Sequence, residues 1–389
     1  MGLINLVTLS LMMASIGYWL LCLLGGLKFL SRRPAECPEA APPVTVLKPV
    51  KGLDSDLAEN CREFCRQDYP VYQVIFGVAD PQDPAIPVLQ RVLEEFPGDR
   101  HRLVVGPEVY GPNRKVSLLQ QMLPLAAHEI VVISDSDVRV GSDYLRHIGP
   151  PFLDRTVGLV TCLYRGEGAE SFPARLEAWA INDAFAPSVM AAYAIEGVTF
   201  AFGSTLALRR KILEKTGGFT PFADVLADDY HLAQEVRRQG YRLLLSDYPV
   251  ACVLGRSRFS EVFGRLVRWT RTNRACRPIG YLLSGISHGT IFSLLYLTLD
   301  RFSPIALVAA AATIGVRAAA AYVVDAFILK SRRAAAHLTL LLPGDLVNFV
   351  AWALSFAGNR IRWRGTLYRI VDDGRLMELG GADPSSSSR

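Results

Sequence analysis

The amino-acid sequence predicts an α/β protein in which a mainly parallel sheet has helices on both faces and apolar helices attach the chain to a membrane. Two observations predict this fold class. Between residues 43 and 278, short β-rich runs alternate with helical runs, the pattern of a sheet covered on both faces. Outside that region, the hydrophobic residues that make up 50% of the chain are concentrated in long apolar runs.

The first apolar run, residues 3–30, is long enough to cross a bilayer. A cleavable signal peptide would begin with basic residues, but the first five residues carry none, and Lys28, Arg32 and Arg33 lie at the end of the run instead. We therefore expect residues 1–31 to be a transmembrane anchor. The positive-inside rule then places the chain after Arg33 on the cytoplasmic side.

The first half of the central region, residues 43–278, contains four β-rich runs and three helical runs. The β-rich runs are residues 44–47, 74–78, 103–105 and 130–133. The helical runs are residues 56–67, 85–96 and 113–126. In sheets of this kind ligands bind beyond the carboxyl ends of the strands, and Asp80, Asp135 and Asp137 all follow such ends. The pattern therefore predicts a binding site at this edge of the sheet.

Three apolar segments follow the central region, at residues 279–299, 304–329 and 338–357. The second contains Arg317 and Asp325, so we expect it to pack those charges against protein or water.

The third segment is split by Pro343-Gly344-Asp345, which predicts a break. Four full crossings would put the arginine-rich tail outside, against the positive-inside rule, so one segment is expected to be re-entrant or interfacial. The predicted organisation is membrane helices over 279–358 and a basic tail over 359–389. The Gly- and Ser-rich end of that tail, 380–389, is expected to be disordered.

Charge and cysteine content narrow the choice of partners. The chain has 42 Lys and Arg against 37 Asp and Glu, and a net charge of +5 does not indicate a nucleic-acid partner. Arginines beside the apolar segments favour an anionic membrane surface. The seven cysteines are scattered, and no second Cys or His pair follows Cys61 and Cys65 at zinc spacing. We expect them to be core residues of a reducing compartment.

Two acidic motifs are candidates for chemistry. Asp135-Ser136-Asp137 directly follows a buried strand, and two carboxylates so placed can share a divalent cation that also binds phosphate oxygens. The alternative is a turn or helix cap. Asp228-Asp229 opens a predicted helix, where acidic residues often only complement the helix dipole, but a carboxylate there can also act as a general base.

A basic helical stretch carries the third motif, Arg265-Leu266-Val267-Arg268-Trp269. Arginine suits a pyrophosphate because its planar fork binds two oxygens at once. The alternative is an amphipathic helix that lies on the membrane with Trp269 as its interfacial anchor. The two interpretations are compatible.

Taken in order, these motifs resemble those of the inverting GT-A glycosyltransferases, and most closely the ceramide glucosyltransferase family, glycosyltransferase family 21. The residues that carry the resemblance are Leu47-Lys48-Pro49-Val50-Lys51-Gly52, Asp80 with Asp83-Pro84-Ala85, Asp135-Ser136-Asp137, Ala227-Asp228-Asp229-Tyr230 and Arg265-x-x-Arg268-Trp269. The last matches the family's (Q/R)xxRW. Further stretches, at residues 65–70, 113–117, 134–140 and 158–164, resemble a bacterial branch that includes the hopanoid-associated glycosyltransferases.

The resemblance implies a GT-A fold and an enzyme that transfers a hexose, glucose or N-acetylglucosamine, from a UDP-sugar to a lipid hydroxyl. The implied acceptor is ceramide or bacteriohopanetetrol, and the implied location is the cytoplasmic face of a bacterial inner membrane. It further implies Asp135 and Asp137 as ligands of a divalent cation, Mg²⁺ or Mn²⁺, and Asp229 as the catalytic base beside Asp228.

The resemblance also implies a donor-binding set: Lys48, Asp80, Lys115, Asp135, Arg265, Arg268 and Trp269. Within it, Asp80 is expected near the uridine, and Arg268 and Trp269 near the pyrophosphate and the acceptor. Animal ceramide enzymes tend to have Asp-Ser-Gly where this chain has Asp135-Ser136-Asp137. The second acid suggests a more conventional metal site and weakens a direct transfer of ceramide specificity.

Two other functions remain open at the sequence level. A processive polysaccharide synthase shares the acidic motifs and a Q-x-x-R-W, but it normally has more crossing helices to form a channel. A catalytically inactive membrane scaffold would not require the complete acidic set.

Overall fold

The core of the protein is an eight-stranded mixed sheet in the order β3-β2-β1-β4-β7-β6-β8-β5. The structure is a computed structural model that describes residues 2–32, 41–363, 365–371 and 374–379. The strands are β1 Val44–Val50, β2 Tyr72–Val78, β3 His101–Val105, β4 Ile130–Ile133, β5 Val138–Arg139, β6 Val157–Glu167, β7 Leu206–Arg209 and β8 Arg242–Val253. Four neighbouring pairs are parallel, β1 with β2, β1 with β4, β2 with β3 and β6 with β8, and the other three are antiparallel. The expected mainly parallel sheet is confirmed.

Helices cover both faces of this sheet. The helices are α1 Leu3–Leu30, α2 Leu57–Cys65, α3 Ala85–Glu94, α4 Arg114–Met122, α5 Tyr144–Ile148, α6 Phe172–Trp179, α7 Ala186–Glu196, α8 Arg210–Thr216, α9 Asp228–Arg238, α10 Phe259–Cys276, α11 Pro278–Leu283, α12 Gly289–Leu299, α13 Pro304–Val323, α14 Ala334–His337 and α15 Leu341–Ser355. One core lies between the sheet and α2, α3 and α5, and the other lies between the sheet and α4, α8 and α9.

Strand β1 shows why both faces are covered. All seven of its residues are buried. Because successive side chains of a strand point to opposite faces, Val46 enters the first core and Leu47 the second. Cys61 and Cys65 belong to the first core, as predicted from the sequence.

Strand β4 spans residues 130–133 as predicted, whereas most other elements differ from the prediction by a few residues. The helix expected over 113–126 ends at Met122, because Pro124 follows in a separate 3₁₀ turn. It begins at Arg114 because the Asn113 side chain caps it by accepting a hydrogen bond from the Val116 amide at 3.2 Å.

Three helical segments in the described part of the chain are long and apolar enough to cross a membrane: Leu3–Leu30, Pro304–Ile328 and Ala334–Ser355. The second includes α13 and a π-helical turn, Val324–Ile328. A fourth candidate is the pair Pro278–Ser287 and Gly289–Leu299, which meets at a bend of 50°. Such a bend fits either a broken span or the expected re-entrant segment, so the number of crossings stays a prediction.

The break expected at Pro343-Gly344-Asp345 is wrong, because α15 runs through it. Pro343 lies in the first turn of the helix, where a backbone N–H has no intrahelical acceptor to lose. Asp345 is buried and accepts a hydrogen bond from Arg317 at 3.1 Å. Arg317 and Asp325 are 1% and 0% exposed, which confirms that the segment 304–329 packs its charges against protein.

The segment predicted as a basic tail, residues 359–389, contains three strands that the sequence analysis did not predict. Strands β9 Arg360–Trp363, β10 Thr366–Ile370 and β11 Leu376–Glu378 form a small antiparallel sheet. This sheet packs on Leu226, and the Leu376 amide donates to the Asp224 carbonyl at 2.7 Å. Residues 380–389, for which disorder is expected, lie outside the described residues, and so does Arg33.

Candidate active site

The acidic motifs lie at one edge of the large sheet. Asp135-Ser136-Asp137 follows the carboxyl end of β4. Because β7 runs antiparallel to β4, with Leu206 opposite Ile133, the residues just before β7 reach the same edge. There the Ser134 hydroxyl donates to the Ser204 carbonyl at 3.1 Å, which brings Gly203 beside the acidic turn.

Lys115 links the two acidic motifs. Its ammonium lies 2.6 Å from Asp135 Oδ1 and 3.8 Å from Asp228 Oδ2. Burial alone would lower the pKa of Lys115, but the carboxylates of Asp135 and Asp228 raise it above its usual value. Lys115 therefore stays charged and holds two negatively charged motifs together that would otherwise repel each other.

The carboxylate of Asp229 is held by two backbone amides. Its Oδ2 accepts a hydrogen bond from the Gly203 amide at 3.0 Å, and its Oδ1 accepts one from the Tyr230 amide at 2.8 Å. Burial, and secondly the neighbouring Asp228 carboxylate, raise the pKa of Asp229 to about 7. A carboxyl group with that pKa can accept a proton near neutral pH and is fixed in orientation.

Gly203 makes the convergence of these groups possible. A Cβ at this position would lie 3.2 Å from both Asp135 Oδ2 and Lys115 Nζ, and 3.8 Å from Asp229 Oδ2. The absence of a side chain lets both acidic motifs and the lysine meet at one point. No motif marked Gly203 in the sequence, because its position depends on the antiparallel pairing of β7 with β4.

Asn113 is a second residue that the sequence motifs did not mark as functional. Its side-chain amide donates to Asp228 Oδ1 at 3.2 Å and to the Val225 carbonyl at 3.0 Å. Since the same side chain caps α4, it positions Lys115 and Asp228 together.

Lys48, expected among the donor-binding residues, has a different position. It is fully buried, and its ammonium donates to the carbonyl oxygens of Asp135 at 2.6 Å and of Val138 at 3.1 Å. Burial lowers the pKa of Lys48. Lys48 therefore stabilises the turn that carries Asp135 and Asp137 from the buried side of that turn. It does not face the open side of the site.

Asp80 lies on the exposed side of the same edge, after β2. Its Oδ1 accepts a hydrogen bond from the Gln82 amide at 2.9 Å. No described contact joins Asp80 to the group formed by Lys115, Asp135 and Asp228. The nearby Asp83 is buried and accepts from the Gly52 and Ala85 amides, at 3.0 Å and 2.9 Å. Asp83 therefore fixes the loop after β1, and Asp80 remains the more accessible carboxylate.

Two residues of helix α10 lie within electrostatic range of the acidic motifs. Burial alone would lower the pKa of Arg265, but Glu177 raises it, with a smaller contribution from Asp137. Toward the other end of the helix, burial and then Asp229 raise the pKa of Cys276 to about 12. Arg265 and Cys276 are therefore close to different acids of the same site.

Arg265 already has a protein partner. Its Nε donates to Glu177 Oε1 at 2.6 Å and its Nη2 to Glu177 Oε2, while Ser257 Oγ accepts at 2.9 Å. Trp269, one turn further on, packs in a cluster with Trp179 and Ala351 of α15. The Arg-x-x-Arg-Trp helix thus lies between the site and a candidate membrane span, which agrees with both interpretations of the motif. Arg268 is half-buried on this helix.

An aromatic cluster adjoins the acids. The rings of Tyr164, Phe185 and Phe202 lie 5.0–6.0 Å from one another. Burial raises the pKa of the Tyr164 hydroxyl, with contributions from Cys252 and then Asp229, so this hydroxyl lies within electrostatic range of the acidic site. Phe202 and Phe185 also pack against the core around Phe29 of α1. The site is therefore bounded by apolar surface on the side of the membrane helices.

Asp135 and Asp137 suit a divalent cation. Asp135 keeps 38% of its side chain exposed while Lys115 occupies Oδ1, and its Oδ2 faces Gly203. Carboxylate oxygens are the ligands that Mg²⁺ and Mn²⁺ prefer. The carboxylate oxygens of Asp135 and Asp137 therefore fit the predicted divalent cation.

Comparison with known families gives one match that spans most of the chain. The model of glycosyl transferase family 21 matches residues 7–376. The chain is 24% identical over 238 residues to ceramide glucosyltransferase 3 of Caenorhabditis elegans, covering 61% of this chain and 52% of the relative. It is 25% identical over 252 residues to beta-monoglucosyldiacylglycerol synthase of Trichormus variabilis, covering 61% and 49%. The chain thus spans about half the length of these relatives.

Among solved structures, a mannosyltransferase from Pyrobaculum calidifontis in complex with GDP-Man and Mn²⁺ is similar, with a TM-score of 0.54. It is 24% identical in sequence, and the match covers 90% of this chain and 98% of that one. This likeness concerns the fold and agrees with the GT-A fold expected from the sequence.

Proposed function

Because the chain belongs to glycosyl transferase family 21, we propose that it is a membrane-bound inverting hexosyltransferase that moves a sugar from a UDP-sugar to a lipid hydroxyl. The observation that carries the proposal is Asp229. Its carboxylate is fixed by two backbone amides, has a pKa near 7, and lies beside Lys115 and Asp135.

Asp229 acts as the general base. It accepts the proton of the acceptor hydroxyl as the oxygen attacks the anomeric carbon from the side opposite the nucleotide, and the configuration inverts. Positioned base catalysis of this kind accelerates a reaction by about 10²–10⁴-fold. The Gly203 and Tyr230 amides hold the carboxylate in place for this transfer.

The nucleotide side of the site would hold the charge of the donor. Asp135 and Asp137 would bind a divalent cation, Mg²⁺ or Mn²⁺, which offsets charge on the departing diphosphate when it is bound. The P. calidifontis structure, which contains a nucleotide sugar with Mn²⁺ on a similar fold, supports this assignment. Arg268 and Arg265 are assigned to the pyrophosphate, and Asp80 to the uridine.

A lipid acceptor is supported from two directions. The relatives named above are by name enzymes of ceramide and of diacylglycerol glycosylation. The aromatic cluster of Tyr164, Phe185 and Phe202 joins the acids to the membrane helices and offers a path for a lipid hydroxyl. Ceramide or bacteriohopanetetrol is the proposed acceptor class, and glucose or N-acetylglucosamine the sugar.

The proposed arrangement is an anchor over residues 1–31, a catalytic domain over 43–278 facing the cytoplasm of a bacterium, and membrane helices over 279–358. The apolar segments and the basic residues beside them support this topology. Labelling a cysteine introduced into the β9–β11 sheet from each side of the membrane tests it, and reactivity only from outside the cell contradicts it.

Asp229→Asn tests the catalytic role. Because the variant keeps the shape of the side chain and loses its basicity, sugar transfer should fall by about 10²-fold or more. Binding of UDP with Mn²⁺, measured by calorimetry, should change little. The exposed Asp99 gives a matched control, since Asp99→Asn makes the same chemical change away from the site.

Two outcomes would contradict the proposal. If Asp229→Asn transfers sugar at the wild-type rate, Asp229 is not the catalytic base. If the wild type does not bind UDP with Mn²⁺ or Mg²⁺, a membrane scaffold is favoured. Mass spectrometry of lipids from cells with and without the gene identifies the acceptor. A long polymer formed from UDP-sugar alone would instead indicate a processive synthase.

A further inference from the structure

A buried cluster of Asp183, Asp325 and His337 lies outside the site described above. Asp183 is on a π-helical turn between α6 and α7, Asp325 is near the end of the candidate span Pro304–Ile328, and His337 is near the start of the next. His337 Nδ1 lies 2.7 Å from Asp325 Oδ2 and 3.3 Å from Asp183 Oδ2. Asp183 therefore meets two neighbouring candidate spans, which carry Asp325 and His337, at one imidazole nitrogen.

The carboxylates of this cluster are short of hydrogen bonds. Asp183 is 0% exposed; His337 Nδ1 lies 3.3 Å from its Oδ2, and its Oδ1 accepts no hydrogen bond from the residues that the structure describes. Asp325 is also 0% exposed, and the same is true of its Oδ1. Buried carboxylates normally have several donors, because desolvation of the charge is costly. Two buried carboxylates that share one imidazole nitrogen and each keep an oxygen without a donor indicate a missing electrophilic partner.

The backbone is shaped to bring the two acids together. Asp183 lies in the π-helical turn Ala180–Phe185, and Asp325 lies in the π-helical turn Val324–Ile328. A π-helical turn widens a helix locally and is less favourable than a regular turn, and it occurs often at functional sites. Here two such turns face each other, and each carries one acid of the cluster.

The charges of the cluster do not balance with a proton alone. Arg317, whose charge acts on Asp183, is already paired with Asp345. Two carboxylates with a protonated imidazole leave a net charge of −1 in a buried position. Two carboxylates with a neutral imidazole and a divalent cation leave no net charge.

We propose that Asp183, Asp325 and His337 form a second metal site, separate from Asp135 and Asp137, which binds a divalent transition-metal cation such as Zn²⁺ or Mn²⁺. Two carboxylate oxygens and one imidazole nitrogen are ligands that these ions accept. Binding transfers the Nδ1 proton of His337 to solvent, because this nitrogen then donates its lone pair to the ion.

The geometry is near that of a metal site. The three ligand atoms lie within 4.8 Å of one another. Bonds of about 2.0–2.2 Å in a tetrahedral site place neighbouring ligand atoms about 3.3–3.6 Å apart. The His337–Asp183 separation of 3.3 Å fits this value, and the His337–Asp325 separation of 2.7 Å requires an outward movement of less than 1 Å. The second oxygens of both carboxylates can complete the coordination.

A metal at this position would be structural. It would join the helical segment 172–196, which packs on the large sheet, to two candidate membrane spans. Since Asp183 is more than 140 residues from Asp325 and His337 in sequence, the ion would fix how the catalytic domain sits on its membrane helices.

The test uses the full chain in detergent, without nucleotide, in an Asp135→Asn/Asp137→Asn background that removes the proposed catalytic metal site. The protein is dialysed against Zn²⁺ or Mn²⁺, and its metal content and melting temperature are measured. We expect one ion per chain and a higher melting temperature with metal. Adding His337→Gln or Asp325→Asn should abolish both effects.

His288→Gln is the matched control, because His288 is also buried among the membrane helices and its ring contacts Phe349 and Trp352 instead of this cluster. This variant should keep the ion. The proposal is overturned if the background protein folds and binds neither metal, or if the ion remains after His337→Gln. If His337→Gln does not fold, Asp325→Asn and the metal content of the background protein decide the question. Loss of sugar transfer in Asp229→Asn is independent of either result.

Discussion

Replacing Asp228 by asparagine should lower the pH at which the enzyme becomes active. Asp229 must be deprotonated to act as a base, so with its pKa at about 7 the rate should fall as the pH drops below that value. Burial is the largest cause of this raised pKa and the charge of Asp228 is the second. Asparagine removes the charge and keeps the shape, while the burial remains.

The size of the shift follows from the repulsion between the two carboxylates. Two unit charges about 6 Å apart repel by about 3 kcal/mol at an effective dielectric constant of about 20. Since about 1.4 kcal/mol corresponds to one pH unit, the repulsion accounts for at most about 2 units. Lys115, which lies 3.8 Å from Asp228, offsets part of that repulsion. The acidic limb of the profile should therefore move down by about 1–2 units.

The assay is release of UDP from the UDP-sugar with the lipid acceptor present, measured as kcat/KM from pH 5 to pH 9 for the wild type and Asp228→Asn. The position of the acidic limb is the readout, because the plateau also changes if Asp228 affects binding. A limb that stays near pH 7, or moves up, would refute the assignment of the limb to Asp229.

Two further variants test the supports of the site. Glu177→Gln removes the charge of the carboxylate that accepts from Arg265, so unfolding should require about 1.5–3 kcal/mol less free energy and UDP-sugar should bind more weakly, as measured by thermal unfolding and calorimetry. Gly203→Ala places a methyl group 3.2 Å from Asp135 and Lys115, so kcat should fall by about 10-fold or more while the melting temperature changes little.

Glu235→Gln provides the control for Glu177→Gln. Glu235 pairs with Arg238, whose side chain is 75% exposed, so its loss should change stability by less than about 1 kcal/mol. If both variants lose the same free energy of unfolding, the Glu177–Arg265 pair stabilises the protein no more than an exposed ion pair does. Wild-type kcat in Gly203→Ala would show that the contact between the two acidic motifs tolerates displacement.

The edge of the sheet that carries the acids could be predicted from local patterns. An apolar run that stops at Ser134 is a strand followed by a polar turn, and this interpretation needs no information from elsewhere in the chain. The same holds for Asp228 and Asp229 at the start of a helix. Local periodicity also located β4 to the residue.

The remaining parts of the site depend on long-range pairing. Gly203 reaches the acids only because β7 pairs antiparallel with β4, and a short strand in a loop-rich region gives no signal of its partner. Lys48 resembles a residue that faces a ligand until its burial under the Asp135 turn is known. The break expected at Pro343 failed because proline stops a helix only in its interior, and the start of α15 was not predictable from composition.

The C-terminal sheet has a consequence for the order of biosynthesis. Val225 forms a bridge with Arg375, and the Leu226 amide donates to the Gly374 carbonyl at 3.1 Å. These contacts hold the loop that leads into Asp228 and Asp229, yet they come from residues translated after the candidate membrane spans of the described chain. A ribosome-bound chain therefore lacks these neighbours of Asp228 and Asp229 until residues 374 and 375 have left the exit tunnel. The loop can reach its final contacts only after the candidate spans have been synthesised.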